Sequence, residues 1–134
     1  MKSLIKIFGI ALLGAATFTS CLGDDVTSES CNYSIQNPVI EVTGPETATV
    51  GQQVTFNIKF NSGNGCYTSS EFSETGTNPK TITVNSTYIG CVCTEATQVI
   101  TKEYKFTPTA SGEYQFKFLS NNNTFITKTI TVTQ

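Results

Sequence analysis

Cysteine is the residue type in this chain that is best placed to do chemistry. A cysteine can carry a lipid, form a disulfide or bind a metal, and the compartment and the spacing decide between these roles. The sequence has five of them: Cys21, Cys31, Cys66, Cys91 and Cys93. Cys21 stands apart, because it directly follows a segment with the features of an export signal.

Residues 1–20 have the composition of a cleaved signal. Lys2 and Lys6 precede an apolar stretch at positions 7–16, and small or hydroxylated residues lead up to Cys21. The apolar stretch is too short to cross a bilayer, which takes about 20 residues. An ordinary secretory signal followed by an unrelated cysteine is the alternative.

The segment Phe18-Thr19-Ser20-Cys21 resembles the lipobox of bacterial lipoproteins. That resemblance implies removal of residues 1–20, attachment of palmitate and other acyl chains at Cys21, and anchoring to the bacterial outer membrane. Residues 21–31 are then a flexible acidic tether, because they are polar and show no hydrophobic periodicity. Acidic residues here resemble the surface-export signals of Bacteroidota lipoproteins, with a merely solvated linker as the alternative. The domain is therefore expected on the cell surface or facing the periplasm.

The other four cysteines predict disulfides, because an even number of cysteines in an exported chain is typical of a disulfide framework. Zinc is the competing possibility. The spacing lacks paired C-x-x-C knuckles and the chain has no histidine, so we expect neither a metal site nor a cofactor.

The elements that position these cysteines are β-strands. Residues 32–134 are rich in Thr, Val, Ile, Phe and Tyr, with turn residues about every ten positions, which is typical of an all-β sandwich. Val54, Phe56, Ile58 and Phe60 alternate with polar residues and predict one buried strand face. We predict about seven strands in a single domain, the first of them split in two: 38–43 with 47–50 (A with A′), 52–60 (B), 67–73 (C), 80–88 (D), 97–106 (E), 113–119 (F) and 124–132 (G).

Two motifs resemble immunoglobulin-like and PKD-like modules of bacteria. Residues 47–56 look like the A′–B stretch, and residues 110–114 resemble the E–F corner, where Tyr114 would bond back to the backbone. The resemblance implies an immunoglobulin-like antiparallel β-sandwich. The chain has no Trp, and Phe56 and Phe116 stand where antibody domains carry a cysteine pair.

That strand order implies a pairing for the four cysteines. In an immunoglobulin-like sandwich the B–C loop with Cys66, the D–E loop with Cys91 and Cys93, and the start of strand A near Cys31 share one end. Cys91 and Cys93 are poor partners for each other, because residues i and i+2 of an extended segment lie at the limit of disulfide reach. Cys66 with Cys93 and Cys31 with Cys91 is the preferred pairing, and the swapped version stays open.

The composition argues against catalysis and nucleic-acid binding. Residues 31–134 contain no His, Asp, Arg or Trp, so no catalytic residue is predicted. The nearest carboxyl pair, Glu71 and Glu74, would face opposite sides of a strand. After removal of residues 1–20, ten acidic residues outnumber six lysines and no basic stripe exists.

Two classes of function remain. One is a membrane-anchored module for protein interaction or adhesion, or for glycan binding, to which Tyr33, Tyr67, Tyr88 and Phe125 could lend aromatic contacts. The other is a structural spacer in an envelope assembly. The tether enters at the cysteine-bearing end, so we expect that end to lie toward the membrane and the loops 44–47, 73–79 and 107–111 to face outward.

Overall fold

The computed structural model describes residues 31–134, which form two packed β-sheets. The predicted signal segment 1–20, the predicted lipidation site Cys21 and residues 22–30 of the predicted tether lie outside the described residues. The strands are β1 (Asn32–Asn37), β2 (Val39–Thr43), β3 (Thr47–Thr49), β4 (Val54–Asn61), β5 (Tyr67–Thr75), β6 (Lys80–Ile89), β7 (Val99–Phe106), β8 (Gly112–Leu119) and β9 (Phe125–Thr133), with a short 3-10 turn at Asn121–Asn123.

One sheet has six strands and the other three. The larger has the order β1-β6-β8-β9-β3, with β5 on the far edge of β6, and the smaller has the order β2-β4-β7. This arrangement confirms the predicted all-β sandwich. The strand that the sequence analysis missed is β1, because its polar sequence, with apolar residues only at Tyr33 and Ile35, gives a weak alternation.

Strand β6 departs from the usual immunoglobulin arrangement. In that fold the fourth strand lies beside strand E, in the sheet with A and B. Here β6 lies in the other sheet and pairs in parallel with β8 from Lys80 to Ile82. The next part of the same β6 edge, from Val84 to Ile89, pairs with β1. As a result β7 and β5 are both edge strands within the described residues.

The core lies where the inward faces of the two sheets meet. The alternation predicted in β4 is confirmed, with Val54, Phe56, Ile58 and Phe60 all buried. The Phe56 ring packs 5.2 Å from the ring of Phe116 on the opposite sheet, so two aromatic rings fill the place of the cysteine pair. Aromatic packing of this kind adds roughly 1 kcal/mol beyond burial.

The corner before β8 is closed by Tyr114. Its hydroxyl donates a hydrogen bond to the carbonyl of Ala110 at 2.9 Å, which confirms the predicted tyrosine corner. Among residues 31–134 there is no helix long and apolar enough to cross a membrane.

Candidate interaction surface

Topology brings the four described cysteines to one end of the sandwich. Strands β1 and β5 run antiparallel to β6, so their first residues lie level with the last residues of β6. Cys31 precedes β1, Cys66 precedes β5, and Cys91 and Cys93 follow β6. We call this the disulfide end and define it as residues 31–36, 61–68 and 87–99.

Two disulfides tie these segments together. Cys31 pairs with Cys91 and Cys66 with Cys93, with Cα–Cα distances of 4.9 Å and 5.3 Å. Both distances lie in the range that a disulfide spans. These are the pairs preferred from the sequence. The bridges join the start of β1 and the loop before β5 to the loop after β6, so three segments that are distant in sequence become one covalent unit.

Tyr88 is the centre of the packing beneath the disulfides. It is fully buried, and the Tyr33 ring stacks on it at 5.0 Å with the planes 4° apart. The Tyr67 ring meets it edge-on at 6.1 Å. Tyr88 is one of the four aromatic residues proposed for ligand contact, but its burial makes it a core residue. Tyr67 is half-buried, and Tyr33 and Phe125 remain exposed.

Hydrogen bonds to Tyr88 hold the loop after β4 against the sheet. Asn37 Nδ2 donates to the Tyr88 hydroxyl at 3.0 Å, and that hydroxyl donates to the carbonyl of Ser62. Gly63 lies beside the Tyr88 hydroxyl with φ +81°, and an added Cβ there would be 3.2 Å from that hydroxyl. Close approach and a positive φ both favour glycine at this position.

Exposed apolar side chains are concentrated at the disulfide end. Among residues 31–134 eight large apolar side chains are exposed, and five of them lie here: Val92 (95% exposed), Val99 (60%), Ile89 (56%), Ile35 (43%) and Tyr33 (39%). Val92 stands between two bridged cysteines. Cys91 and Val92 lie in a bend, where both neighbours of Val92 are held in disulfides and its own side chain faces solvent.

Charge is nearly absent from the same region. The disulfide end contains one charged residue, Glu95, in a chain that is 13% charged. The region also holds a cleft of about 260 Å³ lined by neutral polar groups and one aromatic ring: Ser62, Asn64, Gly65, Tyr67, Thr94, Ala96 and Gln98. Apolar exposure with little charge is the pattern of a protein-binding surface.

The titratable groups with shifted pKa values lie at the opposite end. Lys80 donates to Glu74 at 2.7 Å, and this hydrogen bond holds the pKa of the Glu74 carboxyl below its usual value. Burial, and then its bond to Glu74, raises the pKa of the Tyr104 hydroxyl. Glu71 and Glu74 pair across to Asn85 and Ile82, which face opposite sides of the sheet, as expected. They therefore cannot flank one substrate bond.

Metal binding is the competing role for the cysteines. Within the described residues no three His, Cys, Asp or Glu side chains gather in a metal-binding arrangement. The four described cysteines are bonded to one another.

The sequence analysis missed Val92, Val99 and Ile89 as surface residues. Each stands in or beside a predicted strand or loop, where an apolar residue is usually taken for core. A usable signal did exist for Val92, because it lies between two cysteines in the loop that separates the predicted strands 80–88 and 97–106. Val99 and Ile89 carry no such signal, since the strand ends at which they lie are set by the tertiary structure.

Comparison with known proteins identifies the domain. The family model of the ORF11 β-sandwich domain matches residues 56–132, which covers β4 to β9 and three of the four disulfide cysteines. No curated protein and no solved structure matches the chain. The matched segment exceeds half of the chain and coincides with the observed two-sheet architecture. The chain therefore belongs to the family of ORF11 β-sandwich domains.

Proposed function

We propose that this chain is a non-catalytic lipoprotein that binds a protein partner through its disulfide end. In this proposal Cys21 carries the lipid and anchors the chain to the bacterial outer membrane, at the cell surface or facing the periplasm. The observation that carries the proposal is the coincidence, at one end, of exposed apolar side chains, a near absence of charge and two disulfides.

Each of these three properties favours binding for a physical reason. Apolar side chains such as Val92 and Val99 gain free energy when a partner removes them from water. Few charged groups have to be desolvated, which keeps the cost of association low. The disulfides fix the segments that carry these side chains, so less conformational entropy is lost on binding. A merely structural spacer would have no need of such a surface.

The tether supports a partner at the membrane side. The described chain starts at Cys31, inside the disulfide end, so the chain that leads back to Cys21 leaves from the binding surface. About ten extended residues reach roughly 35 Å. A partner held near the same membrane therefore lies within range of Val92 and Ile89.

A matched pair of valines tests the binding surface. Val50 is also exposed, but it lies at the opposite end of the sandwich. In the full chain on intact cells, Val92→Lys should lower the yield of the cross-linked partner complex about tenfold, because a charge at the centre of an interface costs more than 1 kcal/mol. Val50→Lys should leave the yield unchanged. Equal loss in both variants, or loss only with Val50→Lys, would refute the disulfide end as the binding surface.

The lipid anchor has its own test. Metabolic labelling with palmitate should label the wild-type chain, and Cys21→Ala should abolish both the label and the recovery of the chain with membranes. Cys31→Ala serves as the control, because it also removes a cysteine but leaves Cys21 in place. Labelling that survives in Cys21→Ala would show that the lipid assignment is wrong.

A second candidate function, glycan binding, is favoured by the cleft beside Tyr67. Its amide and hydroxyl groups suit a neutral saccharide, and the Tyr67 ring could stack on a sugar face. Gln98→Ala at the cleft rim, compared with Thr109→Ala at the opposite end, tests this. Loss of polysaccharide recovery in the first variant alone would favour the glycan partner over a protein.

A further inference from the structure

Strand β1 has a free backbone edge. Within the described residues it pairs with β6 alone, through six consecutive residue pairs from Asn32–Ile89 to Asn37–Val84. It shares that edge of β6 with β8, and β8 continues into the sheet through β9. Strand β9 starts at Phe125, which pairs with Leu119 at the end of β8. Neither β8 nor β9 therefore extends far enough to lie beside β1.

The space beside β1 is a notch. It measures about 280 Å³ and is lined by Gln36, Pro38 and the turn from Leu119 to Asn123. Five of the six β1 residues are exposed, and Asn37 at the end nearest the notch is buried. The edge is therefore accessible along nearly its whole length.

The other edges of the sandwich carry features that discourage strand pairing. Strand β5 carries Glu71, Glu74 and a register shift between Tyr67 and Ser69. On β7, Lys102 points inward and donates to the carbonyl of Ser70 on β5, and an inward-pointing charge is a known protection of an edge strand. Strand β2 carries Glu41 and a register shift beside it. Strand β3 has three residues, and Lys128 lies on the part of β9 that β3 leaves unpaired.

Strand β1 has none of these features. Its sequence from Asn32 to Asn37 contains no charged residue and no proline, and its pairing with β6 has no register shift. It presents Tyr33 and Ile35 on the inward face and Ser34 on the outward face. An uncharged, regular, partly apolar edge is the kind that accepts another strand.

We propose that β1 pairs antiparallel with β1 of a second copy of this chain, with Ser34 on the two-fold axis. A two-fold axis places the same edge of two copies side by side, so like charges on a charged edge would repel each other. Strand β1 has no charged residue and therefore has no such repulsion. The register about Ser34 places Tyr33 opposite Ile35 of the second copy. This pairing keeps both apolar faces on one side of the joined sheet, and aromatic with β-branched pairs stabilise antiparallel strands.

This inference goes beyond the proposed function. It uses the backbone edge of β1 together with Tyr33 and Ile35, and it leaves Val92 and Val99 for a different partner. The two proposals can therefore fail separately. Ile35→Lys tests the dimer, and Val92→Lys tests the partner.

An engineered disulfide tests the register. Cα atoms of directly opposed residues in an antiparallel pair lie roughly 4.5–5.5 Å apart, within disulfide reach. The control is Thr129→Cys, which places a thiol on the same face of the sheet, on β9 beside Lys128. In the full chain on intact cells, the yield of cross-linked dimer should be at least about five times higher for Ser34→Cys than for Thr129→Cys. Non-reducing electrophoresis measures the yield. Equal yields from the two positions would overturn the proposal.

A second measurement covers variants whose extra thiol disturbs the native bridges. Sedimentation of the detergent-solubilised full chain should show a dimer for the wild type and for Val92→Lys, and a monomer for Ile35→Lys. Intact mass with both native disulfides retained serves as the control for folding. A monomeric wild type, or a dimer that persists in Ile35→Lys, would overturn the proposal, as would cross-linking of Ser34→Cys to a different protein.

Discussion

Different interactions stabilise the two ends of the sandwich. The disulfide end relies on covalent bonds and on aromatic packing around Tyr88, and Glu95 is its one charged residue. The opposite end, defined as residues 44–53, 74–80 and 107–113 and called the polar end, carries four charged residues: Glu46, Glu74, Lys80 and Glu113. None of the described disulfides reaches it.

Side-chain hydrogen bonds replace covalent bonds at the polar end. Asn78 donates to the carbonyl of Glu113 at 2.7 Å and accepts from the amide of Gln115 at 2.9 Å, so its side chain fastens the β5–β6 turn to β8. Tyr114 closes the neighbouring corner. These turns are short and already anchored by strands on both sides, which leaves little chain to constrain.

The fold needs more constraint at the disulfide end. There β6 runs past the end of β8, pairs with β1 and β5, and leads into the loop at 90–98. Long loops lose much entropy on folding, and the loop after β4 is held to Tyr88 through the Ser62 carbonyl. Disulfides that span 60 and 27 residues offset that entropy loss, and they fix a surface that then needs few charged contacts.

The largest expected effect is the removal of a disulfide. Replacing both Cys66 and Cys93 by Ala should lower the free energy of unfolding by roughly 3–4 kcal/mol, because the unfolded chain regains the freedom of the open loop. Chemical denaturation measures this loss. The control variant, Thr77→Ala with Thr109→Ala at the polar end, should stay within about 0.5 kcal/mol of wild type.

Intact-mass analysis before and after alkylation provides the companion measurement. Residues 31–134 should show no free thiol without reductant. Four free thiols would contradict the covalent account of the disulfide end.

A pair of tyrosines, one at each end, should give the next largest effect. Tyr88→Phe removes the buried donor to the Ser62 carbonyl and one of the two acceptors of Asn37 Nδ2, which still donates to the Asn61 carbonyl. This loss costs about 1–3 kcal/mol. Tyr114→Phe removes a hydrogen bond that lies near solvent, which costs about 0.5–1.5 kcal/mol. Thermal unfolding of the two variants ranks them. A larger loss for Tyr114→Phe would mean that the polar end is the more tightly constrained of the two.

The pH dependence of stability should come mainly from the polar end. The pKa of Glu74 is lowered in the folded state, so its ion pair with Lys80 stabilises the fold above the unfolded pKa. That contribution is lost as the pH falls below about 4.3 and through the folded pKa. The pair is partly exposed, so the effect is about 0.2–1 kcal/mol.

Comparison of Glu74→Gln with wild type at pH 7 and at pH 3 measures this contribution. The variant should be slightly less stable at pH 7, and the difference should shrink at pH 3. Glu95→Gln at the disulfide end is the matched control and should show no such change. A difference between Glu74→Gln and wild type that grows on acidification would contradict the assignment.

The smallest expected effect on stability is that of Val92→Lys. Its side chain is almost fully exposed, so the free energy of unfolding should change by less than about 0.5 kcal/mol. The same variant should strongly reduce cross-linking to a partner. Hydrogen exchange at β6, measured alongside binding, would separate an effect on stability from an effect on binding. A loss of more than about 1 kcal/mol in the free energy of unfolding would mean that the Val92 side chain packs against the domain.

Part of the candidate site could be predicted from the sequence, and part could not. The convergence of Cys31, Cys66, Cys91 and Cys93 follows from strand order, because antiparallel strands alternate their ends. The exposure of Val92 agrees with its place in the loop between two predicted strands. The burial of Tyr88 does not follow, since it depends on a loop folding over the ring and on the hydroxyl finding Asn37 and Ser62.

The all-β class, the inward face of β4 and the tyrosine corner can be predicted from the amino-acid sequence, because each depends on alternation along a strand or on a short motif, which are local properties. The common end of the described cysteines follows from the order of the strands. Long-range packing is what puts β6 in the sheet of β8, forms β1 and leaves β1 with a free edge. Those outcomes depend on which strands meet across the sandwich, and strand pairing is set by packing between residues far apart in the chain.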